Sequence, residues 1–161
     1  MKALFLFIGL LFTTTVLGQI TVDQAGDNWK SLVDSALVRI KETDSVTWKF
    51  VSDNVSHISF WNGTFSTTEL DNHGEWSVVV SSHDIRLHSV NNIACVIVHE
   101  SYHIYIAKQK LNLTVCEEEL AAYTFEQSFQ TKLPDLESWI DISTLRWLEL
   151  YKLRIKTTNC N

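Results

Sequence analysis

Residues 99–103 read His-Glu-Ser-Tyr-His, an H-E-x-x-H pattern. On a helix, positions four apart lie one above the other, so His99 and His103 face the same way. Two imidazoles stacked like that can hold one zinc ion, with Glu100 beside them to accept and return protons. Chance produces the pattern roughly 0.01 times in a chain of this His and Glu content. The chemistry it points to is hydrolysis. Zinc lowers the pKa of its water from ~16 toward ~7, and Glu100 serves as general base.

A catalytic zinc usually takes three protein ligands and keeps one position open. The third is expected from Cys116-Glu117-Glu118-Glu119-Leu120-Ala121-Ala122-Tyr123, where a short connector brings a second helix back beside the first. Glu119, Ala122, Tyr123, Glu126 and Gln130 form one stripe at helical spacing, and small Ala122 permits close approach. Glu119 is therefore preferred, with Glu118 the rival. Adjacent acids also suit an ordinary first helical turn, which the macrodipole favours. Cys95, one turn before His99, is a conceivable fourth ligand, but a closed protein shell would exclude substrate. It reads better as a buried small residue in Ile93–Val98.

The elements that must position these groups follow from periodicity. Trp29, Leu32, Val33, Ala36, Leu37 and Ile40 recur at helical spacing after a cap at Asp27 or Asn28. From residue 45 to 89 the texture turns to β, with runs at 46–51, 55–60, 65–70, 75–80 and an alternating stretch at 83–87. Asn62-Gly63 and Asn72-His73-Gly74 mark turns. The prediction is a small, mainly antiparallel sheet of three to five strands. Asn91-Asn92 should cap the motif helix, which runs to about Lys110, and the second helix covers Val115 to about Thr131 before Pro134. A last helix runs from Asp141 or Ser143 to about Lys156. The expected class is α+β: an N-terminal helix, the sheet, the H-E-x-x-H helix, the Glu-bearing helix and a C-terminal helix.

The order Val98-His99-Glu100-Ser101-Tyr102-His103, then Glu119 and Glu126, then Phe129-Gln130-Thr131-Lys132-Leu133-Pro134 resembles the gluzincin division of zinc metallopeptidases. It is similar, more narrowly, to short secreted metallopeptidase-like chains, over about Val90 to Pro134. The resemblance implies a zincin-like fold, zinc on His99, His103 and Glu119, and Glu100 as catalytic base. A peptide or protein substrate would lie beside an edge strand, for which residues 81–88 are the candidate because they precede the motif helix. Two departures stand out. Tyr123 occupies the position four after Glu119 where an Asp is expected, and no His-rich motif follows. The oxyanion donor is therefore open among Tyr123, Tyr105 and Tyr151. A second reading keeps the same fold as a secreted binding module without catalysis.

The bulk of the chain agrees with export. Lys2 and the apolar run from Ala3 to Leu17 read as a signal segment over residues 1–18, cleaved after Gly18. The run is too short for a retained span, so no stable membrane anchor is expected. Residues 19–161 then form one domain, secreted or, in a bacterium, periplasmic. The net charge is −6 and no Lys/Arg run occurs, which argues against nucleic acid as a partner. Three cysteines allow one disulfide, expected between Cys116 and Cys160. His57, His73, His83 and His88 read as ordinary polar positions, and the six Trp as core. Asn54, Asn62 and Asn112 fit the glycosylation acceptor pattern. Oligomeric state leaves no mark on the sequence.

Overall fold

Trp29, Val33, Ala36 and Ile40 are spaced four, three and four apart, and all are buried. In the computed structural model, which describes residues 20–23, 27–157 and 160, that stripe makes one face of a helix. A short strand β1 (Thr21–Val22) precedes this helix, α1 (Asp27–Thr43). The expected signal segment, residues 1–18, lies outside the described residues.

Residues 46–51, expected as a strand, belong instead to a helix, α2 (Ser45–Asn54). Their β-branched composition is overruled by local capping and by a buried face. The Asp44 side chain accepts from the Val46 and Thr47 N–H groups, and Thr47 and Val51 point inward one turn apart. Lys49 pairs with Asp53 four residues on, at 2.7 Å. Asp44 also binds Lys132, at 2.5 Å, tying this helix start to the far end of the chain. Burial pushes the Asp44 carboxyl up, but Lys132, Thr47 and the Val46 N–H outweigh it and hold it at about 2, against an ordinary 3.8. A depressed carboxyl stabilises the fold above its unfolded pKa and loses that contribution as pH falls toward the folded one. Asp44→Ala should thus cost about 1 kcal/mol at pH 7, with the deficit shrinking between pH 4 and pH 2. Urea unfolding at both ends of that range measures it, and a pH-independent deficit would disprove the charge contribution.

Next come β2 (His57–Trp61), β3 (Thr67–Leu70) and β4 (Trp76–Ser81). The sheet is mixed, in the order β1-β2-β4-β3, not mainly antiparallel as expected. The pairs β1–β2 and β2–β4 are parallel, and only β3–β4 is antiparallel, with Leu70 opposite Trp76. The chain leaves β2, runs out to the edge as β3, and turns back to insert β4 between them. Asp71 makes that turn by accepting from the N–H groups of His73 and Glu75, while Gly74 takes φ +80°. β4 is one of the two interior strands, and its continuous Val78-Val79-Val80 run is covered on both faces.

Residues 83–87 do not alternate as a strand either. They enter a short helix, α3 (Ser82–Arg86), because the Ser81 hydroxyl accepts from the Asp84 N–H and donates to the Asp84 carboxylate at 2.6 Å. The motif helix is α4 (Val90–Gln109), ended by Lys110 in the left-handed region. Its cap is Ser89 rather than Asn91-Asn92. Asn91 instead donates to the Asp135 carbonyl and to Glu137, fastening the start of α4 to the chain ahead of the last helix. The remaining helices are α5 (Val115–Gln130), opened by a Thr114–Glu117 capping box, and α6 (Ser138–Lys156).

The core lies between the sheet, α1 and α4, where Ile93, Ile97, Val98 and Ile104 meet Ile58, Val78 and Val80. Phe129 of α5 completes it. Of the six Trp expected as core, Trp29 is; Trp61, Trp139 and Trp147 are more than a third exposed. Cys116 and Cys160 are disulfide-bonded, with Cα atoms 5.5 Å apart, and Cys95 is free and buried. Such a bond is a feature of oxidising compartments. Among the described residues no helix is long and apolar enough to cross a membrane. Of the three glycosylation acceptors, Asn54 is buried with its amide donated to the Phe50 carbonyl, whereas Asn62 and Asn112 are exposed.

Candidate metal centre

The helical four-residue spacing puts His99 and His103 on one face of α4, with their Nε2 atoms 3.1 Å apart. α5 runs back along that face. His103 meets Glu118, whereas His99, one turn earlier on α4, meets Glu126, two turns later on α5, so the two helices are antiparallel. Glu119 lies between these pairs, its carboxylate oxygens 3.7 Å from His99 Nε2 and 3.8 Å from His103 Nε2. The three donor atoms lie within 4.8 Å of one another, a group that could hold a metal ion. Glu118, the rival to Glu119, sits instead on the opposite ring nitrogen of His103, at 2.9 Å. Cys95 falls outside the group.

The hydrogen bonds decide which nitrogens are free. An ionised carboxylate only accepts, so Glu126 and Glu118 require the proton of each imidazole on Nδ1. Both Nε2 lone pairs then face one another and face the Glu119 carboxylate. With neutral imidazoles, three electron-rich atoms would converge with no hydrogen between them, which is unfavourable unless a positive charge, a proton or a metal ion, stands among them. The same demand appears in the His99 imidazole. Burial alone would lower its pKa, but the carboxylates of Glu119 and Glu126 outweigh burial and push it up to about 10. Glu119 is correspondingly held down: burial raises its carboxyl, and His99 and His103 together lower it by more.

Donor chemistry agrees with a divalent transition ion. Imidazole nitrogen with one carboxylate is a familiar set for zinc. Donors around a tetrahedral zinc stand roughly 3.3 Å apart, given bonds of ~2.0–2.1 Å, close to the separations found here. The imidazoles are also braced from behind. Glu126 is buried, and its other oxygen accepts from Gln130 at 2.6 Å and from Thr144 of α6 at 2.9 Å. Metal-binding imidazoles are commonly oriented in this way.

Sequence reasoning placed Glu126 and Gln130 on the stripe with Glu119 but gave them no task, and it missed Thr144. Seven residues make two helical turns, so a second Glu at that distance from Glu119 was the available signal. Thr144 comes from a helix whose docking is tertiary and carries no local signature.

Glu100 is buried beside the group without belonging to it, and its carboxylate has no hydrogen-bond partner among the described residues. Burial pushes its carboxyl up, a shift that His99 and His103 only partly oppose. Two cavities, of about 260 and 450 Å³, open onto His99, Glu100 and Tyr123. A larger depression of about 650 Å³ along α1 contains none of these residues. Tyr123 lies 4.3 Å ring to ring from His99 and stacks with Trp147 and Tyr151. Burial pushes its phenol well above the usual value, so it keeps its proton. Tyr105, by contrast, packs on Phe50 and lines neither cavity. Residues 81–88, expected as the edge strand, form the end of β4, α3 and the connector to α4. The edge strand beside the site is β3, whose Thr67 and Thr68 line the cavity of about 450 Å³.

The geometry therefore offers a His99/His103/Glu119 group able to hold a cation, with one unengaged buried carboxylate next to it. No family model, curated protein or solved structure matches the chain.

Proposed function

We propose that this chain is an exported zinc-dependent peptidase of gluzincin type, with His99, His103 and Glu119 as ligands and Glu100 as general base. The observation that carries the reading is the convergence of the His99 and His103 Nε2 atoms on each other and on the Glu119 carboxylate, with Glu100 free beside them.

His99, His103 and Glu119 would hold the zinc, which when bound would supply Lewis acidity and lower the pKa of water toward ~7. The Glu100 carboxylate would accept a proton from the attacking water and return it to the departing amine. Its burial suits the task, because a raised carboxyl pKa lies nearer the working pH than an ordinary one. Glu126 and Glu118 hold the two imidazoles in the tautomer that leaves Nε2 open. Tyr123, protonated throughout the physiological range, is a donor at the cavity wall. Among the described residues the outer side of β3 has no strand partner, so an extended peptide can add there and pass over Glu100.

Purified protein should bind one zinc per chain and cleave members of a broad peptide library. Chelation should stop cleavage, and added zinc should restore it. Full zinc occupancy with no turnover across the library would instead favour the non-catalytic binding module.

A further inference from the structure

The cavity of about 260 Å³ between α4 and α6 is smaller than the ~300–1,000 Å³ that whole small ligands usually fill, and so has the size of a side-chain subsite. Its lining is unusual in two respects. Phe65, Trp139 and Trp147 present large exposed aromatic surface at a site where solvent exposure of such rings is unfavourable. Its carboxylates are Asp84, Glu100 and Glu126; the imidazoles of His83 and His99 also line it, and no Lys or Arg does.

The three acids are not equivalent. Glu126 is consumed by His99, Gln130 and Thr144, and Glu100 faces the reacting centre. Asp84 is neither. Its Oδ2 is fixed by the hydroxyls of Ser66, at 2.7 Å, and Ser81, at 2.6 Å, while Oδ1 has no hydrogen-bond partner among the described residues. A carboxylate locked in place by one oxygen, with the other unengaged, is prepared for an outside donor. Aromatic faces beside it attract a cation and pack well against a long aliphatic stem. An acidic side chain beside Asp84 would meet its like charge.

We propose that this cavity is a specificity subsite for a basic side chain of the peptide substrate, arginine or lysine, whose stem lies on Trp139 and Trp147 and whose charged head pairs with Asp84. The inference rests on the peptidase reading for its substrate class, but its test does not require turnover.

The probes are short peptide amides differing at one residue: arginine, its neutral isostere citrulline, leucine or glutamate. Binding to zinc-loaded Glu100→Gln protein is followed by tryptophan fluorescence, which Trp139 and Trp147 should report. Cleavage of the same peptides by wild-type protein is measured in parallel. The arginine peptide should bind about tenfold tighter than the citrulline peptide, and Asp84→Asn should bring that ratio close to one. Asparagine can still accept from Ser66 and Ser81, so the variant keeps the wall of the cavity. Equal binding of arginine and citrulline peptides overturns the subsite, and if wild-type protein still cleaves them the peptidase reading survives alone. Arginine-selective binding without cleavage of any peptide supports the subsite and removes the peptidase.

Discussion

Glu100→Gln protein is expected to hold its zinc and lose its hydrolysis, with kcat reduced by about a hundred- to ten-thousand-fold. The substitution changes one oxygen for a nitrogen of nearly the same size. Glu100 contributes no hydrogen bond to the fold among the described residues, and its atoms are not in the His99/His103/Glu119 group. Packing and metal affinity therefore have no reason to fall. The amide does remove the lone pair that accepts a proton, and the other carboxylates bonded to the two imidazoles are already engaged. Glu126 is committed to His99, and Glu118 to the far nitrogen of His103. Zinc content, thermal melting and turnover together separate the possibilities. Retained zinc with unchanged turnover would strip Glu100 of its role, whereas lost zinc would make it a structural partner of the centre.

How far residues announce their own placement differs along this chain for physical reasons. The stripe of α1 and the His99/His103 spacing on α4 were readable because the helical period is local. Glu119 could be placed on the facing helix for the same reason, since a connector of few residues brings α5 back along α4. The disulfide partner of Cys116 was readable from the odd cysteine count and the buried setting of Cys95. Residues 46–51 misled because side-chain propensity is weak against the Asp44 cap and the Lys132 contact, the latter 88 positions away. The insertion of β4 between β2 and β3 was not legible either, since strand order is a property of the whole sheet. Val78-Val79-Val80 did carry a trace of it, as a run buried on both faces. Trp139 and Trp147 were misjudged as core because hydrophobicity alone does not distinguish a packed ring from one lining a cleft.

The brace behind His99 yields the other large expected effect. Glu126→Gln should weaken zinc binding by about ten- to a hundredfold, though residue 126 lies outside the ligand group. The carboxylate now fixes the His99 proton on Nδ1 and keeps Nε2 open. A carboxamide offers one acceptor and one donor where Glu126 offers two acceptors. Its NH₂ must face either His99 Nδ1, which then becomes an acceptor and moves the proton to Nε2, or the donors of Gln130 and Thr144. Either choice is penalised, because it sets two donors or two acceptors face to face in a largely buried site. Glu118→Gln should do less, because Glu118 is half-buried rather than buried and its amide can rotate toward solvent. Competition with a chelator measures both affinities, and melting of the metal-free proteins separates lost binding from lost fold. If Glu126→Gln binds zinc as tightly as wild type, the imidazole orientation is set by packing against Tyr123 rather than by charge. If Glu118→Gln proves the more damaging, the weight of the centre lies on His103 and the buried network around Thr144 serves only to hold α6 in place.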